Sequence, residues 1–172
     1  MKRTIFLVIA IFIVIAPAMG EKKSGKGHLS VKAKVSTYTT SGGSTTLMYG
    51  LTASYAVSDR ISVDGTVEWT QYTEDGENVE LMPITVDGVF HPLGQRAFDP
   101  YIGAGIGAYL TKRGETQSGT FGMQVIGGVG YHPTSNFGVS FEVKYRLPDV
   151  AHPSGGGISF GGGVEGSLET TL

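Results

Sequence analysis

The sequence predicts an all-β chain folded as an eight-stranded antiparallel up-and-down barrel, and three observations carry that prediction. Apolar and aromatic residues recur at every second position in segment after segment, which is the period of a strand. The face between them is glycine, serine, threonine or a single charge, not the lysine- and glutamate-rich coat of a strand face in water. Eight such runs follow one another, and an even number of antiparallel strands closes with no exposed edge.

The 172 residues include 27 Gly, one Trp and no Cys, and only 16% are charged, against roughly 25% for a soluble domain. With a net charge of −2, no basic surface recommends nucleic acid as a partner. Lys2 and Arg3 precede an apolar run from Ile5 to Ala16, followed by small residues at Ala18 and Gly20 and a polar return at Glu21. That is the pattern of a cleaved secretory signal peptide, residues 1–20, and the run is too short for a spanning helix. Cleavage after Ala18 or after Gly20 fits, and Gly20 is favoured. Without cysteine there is neither a lipoprotein anchor nor a disulfide, so stability must come from closing the sheet. Residues 21–27 read as a polar tail, and 28–172 as the barrel.

The first strand, about 28–38, sets Leu29, Val31, Ala33 and Val35 against Ser30, Lys32, Lys34 and Ser36. The second, about 46–57, aligns Leu47, Tyr49, Leu51, Ala53, Tyr55 and Val57 on one face. The third, about 61–72, opposes Ile61, Val63, Val67 and Trp69 to Ser62, Asp64, Thr66 and Glu68. The fourth, about 79–91, is the least regular, because Pro83 predicts an edge or a bulge. The fifth, about 100–111, alternates Ile102, Ala104, Ile106, Ala108 and Leu110 with Gly103, Gly105 and Gly107. Phe121, Met123, Val125, Val129 and Tyr131 mark the sixth, about 120–132, and Phe137 to Leu147 the seventh. The eighth starts near Ile158 and keeps Phe160, Val164, Leu168 and Leu172 in register. Connections near Ser58–Arg60 and His132–Asn136 read as tight turns, whereas 39–45, 73–78, 112–119 and 148–157 read as longer polar loops, the asymmetry of an outer-membrane barrel.

A soluble barrel has the same period with its apolar face inward. Two features favour lipid outside. The aromatics gather toward strand ends, with Tyr55, Phe90, Tyr101, Tyr131 and Phe137 on one side and Tyr49, Trp69, Tyr109, Phe121, Tyr145 and Phe160 on the other. These read as two interfacial girdles. The opposite face carries Lys32, Lys34, Lys144 and Arg146 with Asp64, Glu68, Asp87, Glu142, Glu165 and Glu169, a compensated set that belongs in a lumen. Closure of strand one against strand eight would bring Lys32 and Lys34 to Glu165 and Glu169.

With these features on the page, the run Asp99-Pro100-Tyr101-Ile102-Gly103-Ala104-Gly105-Ile106-Gly107-Ala108-Tyr109 resembles the small outer-membrane β-barrel domain family of Gram-negative bacteria, loosely related to opacity-type surface proteins. The resemblance covers essentially the whole mature chain. It implies an integral outer-membrane protein after Sec-type export, in contact with lipid and lipopolysaccharide and inserted by the barrel-assembly machinery. Family members commonly end in an aromatic residue read by that machinery, whereas this chain ends in Leu172. A monomer without nucleic-acid partners is expected.

Candidate chemistry is sparse. Gly103, Gly105 and Gly107 lie within a strand with no helix following, so they read as lumen packing and not as a dinucleotide loop. His91, His132 and His152 each precede proline and read as turn residues without metal spacing. Glu74, Asp75 and Glu77 form an acidic loop without the glycine and ligand spacing of a calcium loop, and read as solvated loop charge. Lys112 and Arg113 are placed to meet lipopolysaccharide phosphates. His152 and Ser154, with Glu165 or Glu142, resemble the triad of outer-membrane lipid A deacylases, although Gly155 stands where that family's Asn follows the Ser. No catalytic, cofactor or metal residue is assigned. The expected function is a non-enzymatic outer-membrane barrel with an envelope-integrity or surface-interaction role. The alternatives are a narrow channel for small or hydrophobic solutes and, remotely, a deacylase-like esterase.

Overall fold

The computed structural model describes residues 27–74, 76–134, 136–151 and 156–168. Eight strands run in chain order, β1(Leu29–Thr40), β2(Thr45–Ser58), β3(Ile61–Glu74), β4(Glu77–Phe90), β5(Phe98–Arg113), β6(Thr116–Tyr131), β7(Phe137–Leu147) and β8(Gly157–Leu168). Each pairs with its sequence neighbours, and β1 pairs with β8 to close the barrel. The signal peptide, the tail through residue 26, Asp75, His152, Ser154, Glu169 and Leu172 lie outside the described residues.

Register fixes the geometry. Stepping between paired residues from Leu29 through Tyr55, Val63, Gly88, Ala104, Val125, Tyr145 and Ile158 returns to Thr39, ten residues up the same strand. For eight strands, that offset tilts each strand by about 40° from the barrel axis.

The alternation is inside out. Leu51 and Ile102 are 58% and 62% exposed, whereas Asp87 and Arg146 are fully buried. The apolar face therefore meets lipid and the polar face fills the lumen. Outward aromatics band at both ends, with Tyr55, Phe90, Tyr131 and Phe137 near the termini and Tyr49, Trp69, Phe121, Tyr145 and Phe160 at the far end. Phe137 and Tyr145 are eight residues apart on β7, which at that tilt spans roughly 20 Å, close to the ~25 Å apolar band of such barrels. Tyr101 and Tyr109, expected in the girdles, are instead buried in the lumen. They share the face of Gly103, Gly105 and Gly107, so the period of two turns them inward.

The lumen glycines make room for these rings. A Cβ at Gly122 would overlap the Tyr109 ring, one at Gly128 the Tyr101 ring, and one at Gly157 the Tyr38 ring. Aromatic side chains laid over glycines on neighbouring strands are a recurrent way of filling a curved sheet.

Two expectations about connections are corrected. Strands extend into three of the polar stretches, so that β1 ends at Thr40 and β2 starts at Thr45, β3 ends at Glu74 and β4 starts at Glu77, and β5 ends at Arg113 and β6 starts at Thr116. Gly76 and Gly114 hold two of these turns at φ 81° and 57°, a left-handed conformation in which glycine avoids the Cβ penalty. Among the connections at the termini end, 91–97 is the longest. Pro83 forms no bulge, because β4 runs straight through it and pairs Pro83 with Tyr109. Its missing N–H interrupts only the β3 side, where the ladder passes from Val67↔Ile84 to Thr70↔Leu81 without losing register. The irregularity falls between Ala56 and Ser58 instead.

Candidate functional site

The inward positions stack into three layers. At the far end Tyr38, Met48, Leu81 and Tyr109 form a buried apolar cluster with Tyr72 against it. At mid-height Lys34, Lys144 and Arg146 meet Glu68, Glu142 and Asp87, all essentially buried. Glu68 is the hub. It lies 3.6 Å from Lys34, 3.6 Å from Lys144 and 2.6 Å from the Arg146 guanidinium. Glu142 takes 3.0 Å and 3.5 Å contacts from Lys34 and Lys144 and accepts the Tyr101 hydroxyl at 3.2 Å. Asp87 accepts from the Gln124 amide at 2.6 Å and from Thr85 at 3.3 Å. Three cations face three acids, so the network can be neutral, and dense pairing offsets the cost of removing each charge from water.

The third layer is a small polar vestibule of about 40 Å³ at the termini end. Lys32 Nζ sits 3.9 Å from Glu165 and 5.2 Å from the Tyr101 ring centroid. His132 Nε2 lies 3.5 Å from the same Glu165. His91 Nδ1 is 2.9 Å and 2.8 Å from the two Asp99 oxygens, and its Nε2 is 3.1 Å from Ser62 Oγ. Asp64 accepts from Ser54 at 2.7 Å and lies 3.1 Å from Ser62 Oγ.

Lys32 thus meets Glu165 across the β1–β8 seam as expected, whereas Lys34 turns inward to Glu142 and Glu68. His91 and His132 are not simple turn residues. Each continues the inward register of its strand, past Val89 and Gly130, and swings into the vestibule. A Cβ on Gly138 would overlap the His132 ring. Arg113 pairs with Glu74 and lies 4.0 Å from Glu77, so the acidic loop is partly neutralised, while Lys112 is exposed on the outer face. The His152–Ser154 pair lies outside the described residues. Glu165 lies at the termini end, held by Lys32 and His132. Glu142 is enclosed at mid-lumen.

The family profile of the outer membrane protein beta-barrel domain matches residues 4–166. The chain belongs to that family. Among solved structures it is similar to Neisserial surface protein A, with TM-score 0.64 and 18% identity over 82% of this chain and 96% of that one. It is similar also to the outer membrane protein OprG from Pseudomonas aeruginosa, with TM-score 0.61 and 14% identity over 88% and 100% of the two chains. A third likeness is to the outer membrane enzyme PagL, with TM-score 0.52 and 15% identity over 80% and 99%. These likenesses show the shared barrel fold. No curated protein matches the chain by sequence.

Proposed function

We propose that this chain is a closed outer-membrane barrel with a non-enzymatic, structural or surface-interaction role as its main contribution to the envelope. The observation that supports this reading is the filled lumen. Lys144 and Arg146 are 1% and 0% exposed, and the apolar Tyr38–Tyr109 cluster covers them at the far end. An eight-stranded barrel has an interior that side chains can fill, and here buried side chains fill it at mid-height and at the far end. The narrow-channel reading is disfavoured on the same ground.

In this reading the chain is exported through its signal peptide by a Sec-type route, inserted by the barrel-assembly machinery, and works as a monomer. Lys112, on the outer face beyond the far girdle, contacts lipopolysaccharide phosphates as a point charge, while Arg113 is engaged by Glu74. Purified, heat-modifiable protein should be silent in planar bilayers. Steady single-channel conductance would replace the structural reading with the channel one. Deleting the protein should sensitise the outer membrane to detergent, and unchanged permeability would remove the envelope-integrity role.

A further inference from the structure

Among the described residues, the termini-end connections carry two cations, Arg60 and Arg96, and both stand in the sector of β3, β4 and β5. We propose that these two arginines bind the headgroup of an anionic phospholipid whose chains lie on the outward face of the same strands.

The connection 91–97 is bonded to the β2–β3 turn. The His91 N–H donates to the Arg60 carbonyl at 2.8 Å and the Gln95 N–H to the Asp59 carbonyl at 3.1 Å. Within the connection, the Gly94 N–H donates to the His91 carbonyl at 3.0 Å and the Arg96 N–H to the Gly94 carbonyl at 2.9 Å. The backbone thus holds both arginines on one short stretch of rim, which lowers the ordering cost of binding. Both are exposed, and among the described residues neither makes an ion pair. Each lumen cation, by contrast, has a carboxylate within 3.9 Å. Asp59 is the one carboxylate in the turn and the connection, so this stretch of rim keeps a net positive charge.

The surface beside these cations selects a lipid over a soluble anion. Arg60 directly precedes Ile61, which pairs with Phe90, and Phe90 pairs in turn with Ile102. This row is exposed on the outward face. Phe98, two residues after Arg96, and Leu93 on the connection are exposed as well. A phosphodiester at the rim with its chains along this row fits both parts. Guanidinium groups give charge-assisted hydrogen bonds to phosphate oxygens, and the apolar row covers the chains. A zwitterionic headgroup brings its own cation, so the net positive charge favours an anionic one. Lys112 lies at the opposite end of the barrel and takes no part.

The test titrates folded, heat-modifiable protein in neutral detergent with dioleoylphosphatidylglycerol or dioleoylphosphatidylcholine and reads bound lipid by native mass spectrometry. Wild type retains the anionic lipid over the zwitterionic one by on the order of 10-fold. In the folded double variant Arg60→Gln/Arg96→Gln that preference disappears, and in Asp59→Asn it rises. Soluble glycerol 3-phosphate, which has no chains, does not displace the lipid. Equal retention of the two lipids by wild type, or a preference that survives in the double variant, overturns the proposal. So does a preference that falls in Asp59→Asn, or displacement by glycerol 3-phosphate. Each of these results leaves the structural role intact, since bilayer conductance and detergent sensitivity read that role separately.

Discussion

The two mouths of the lumen are closed by opposite means. At the far end, aromatic and aliphatic side chains seal the barrel over tight hairpins. At the termini end, three histidines, three carboxylates and Lys32 line a small polar vestibule. Between them the charged layer depends on both. It is shielded from water by the apolar plug above, and Tyr101 below bonds to Glu142. The difference teaches what each closure supplies. A dry plug supplies packing only, whereas the polar mouth holds buried acids and bases in fixed hydrogen bonds.

The strongest way to break this arrangement is at its hub. Glu68→Gln leaves Lys34, Lys144 and Arg146 short of a negative charge and should cost about 3–5 kcal/mol, read as a lowered urea midpoint of the heat-modifiable band. Tyr109→Ala opens a cavity in the far plug and should cost about 3 kcal/mol by the same titration. Its bilayer conductance should stay silent, because Arg146 still blocks the lumen. Conductance in that variant would show that the apolar plug, and not the charged layer, is the barrier. Gly105→Ala drives a Cβ into Asp87 and the Val86 carbonyl and should cost about 1–3 kcal/mol. A neutral result would mean that the wall yields there. Arg113→Ala removes a half-exposed pair with Glu74 and should shift stability by under about 1 kcal/mol, which marks the rim outside both closures as energetically slack.

Much of this was legible in the sequence because one period governs both faces. All eight strands lie where the alternation places them, and β7 matches residue for residue. Position near a strand end misled for Tyr101 and Tyr109. Their parity with the intervening glycines was the better guide. Strand ends within 73–78 and 112–119 read as loops because beyond the lipid both faces of a strand meet water, so the apolar alternation fades while the backbone ladder continues. The Ser62–His91–Asp99 hydrogen-bond chain was not legible. It joins three strands through a side chain that follows β4 immediately before Pro92, and His-Pro in isolation signals only a turn. Finding it needed the inward parity of Val89 carried one step further, together with the register that sets β3 beside β4.

The seam between β1 and β8 has a consequence for assembly. The other seven strand pairings join sequence neighbours, whereas this one must bring the two ends of the barrel chain together. Closing so long a loop carries the largest entropy cost of any pairing in the molecule, and contacts of such sequence separation are slow to form. β8 meets that step with Gly161, Gly162 and Gly163 opposite Ser36, Val35 and Lys34. The closing strand therefore has little bulk to manoeuvre past its partner, and the Lys32–Glu165 pair lower down favours the final register over a slipped one.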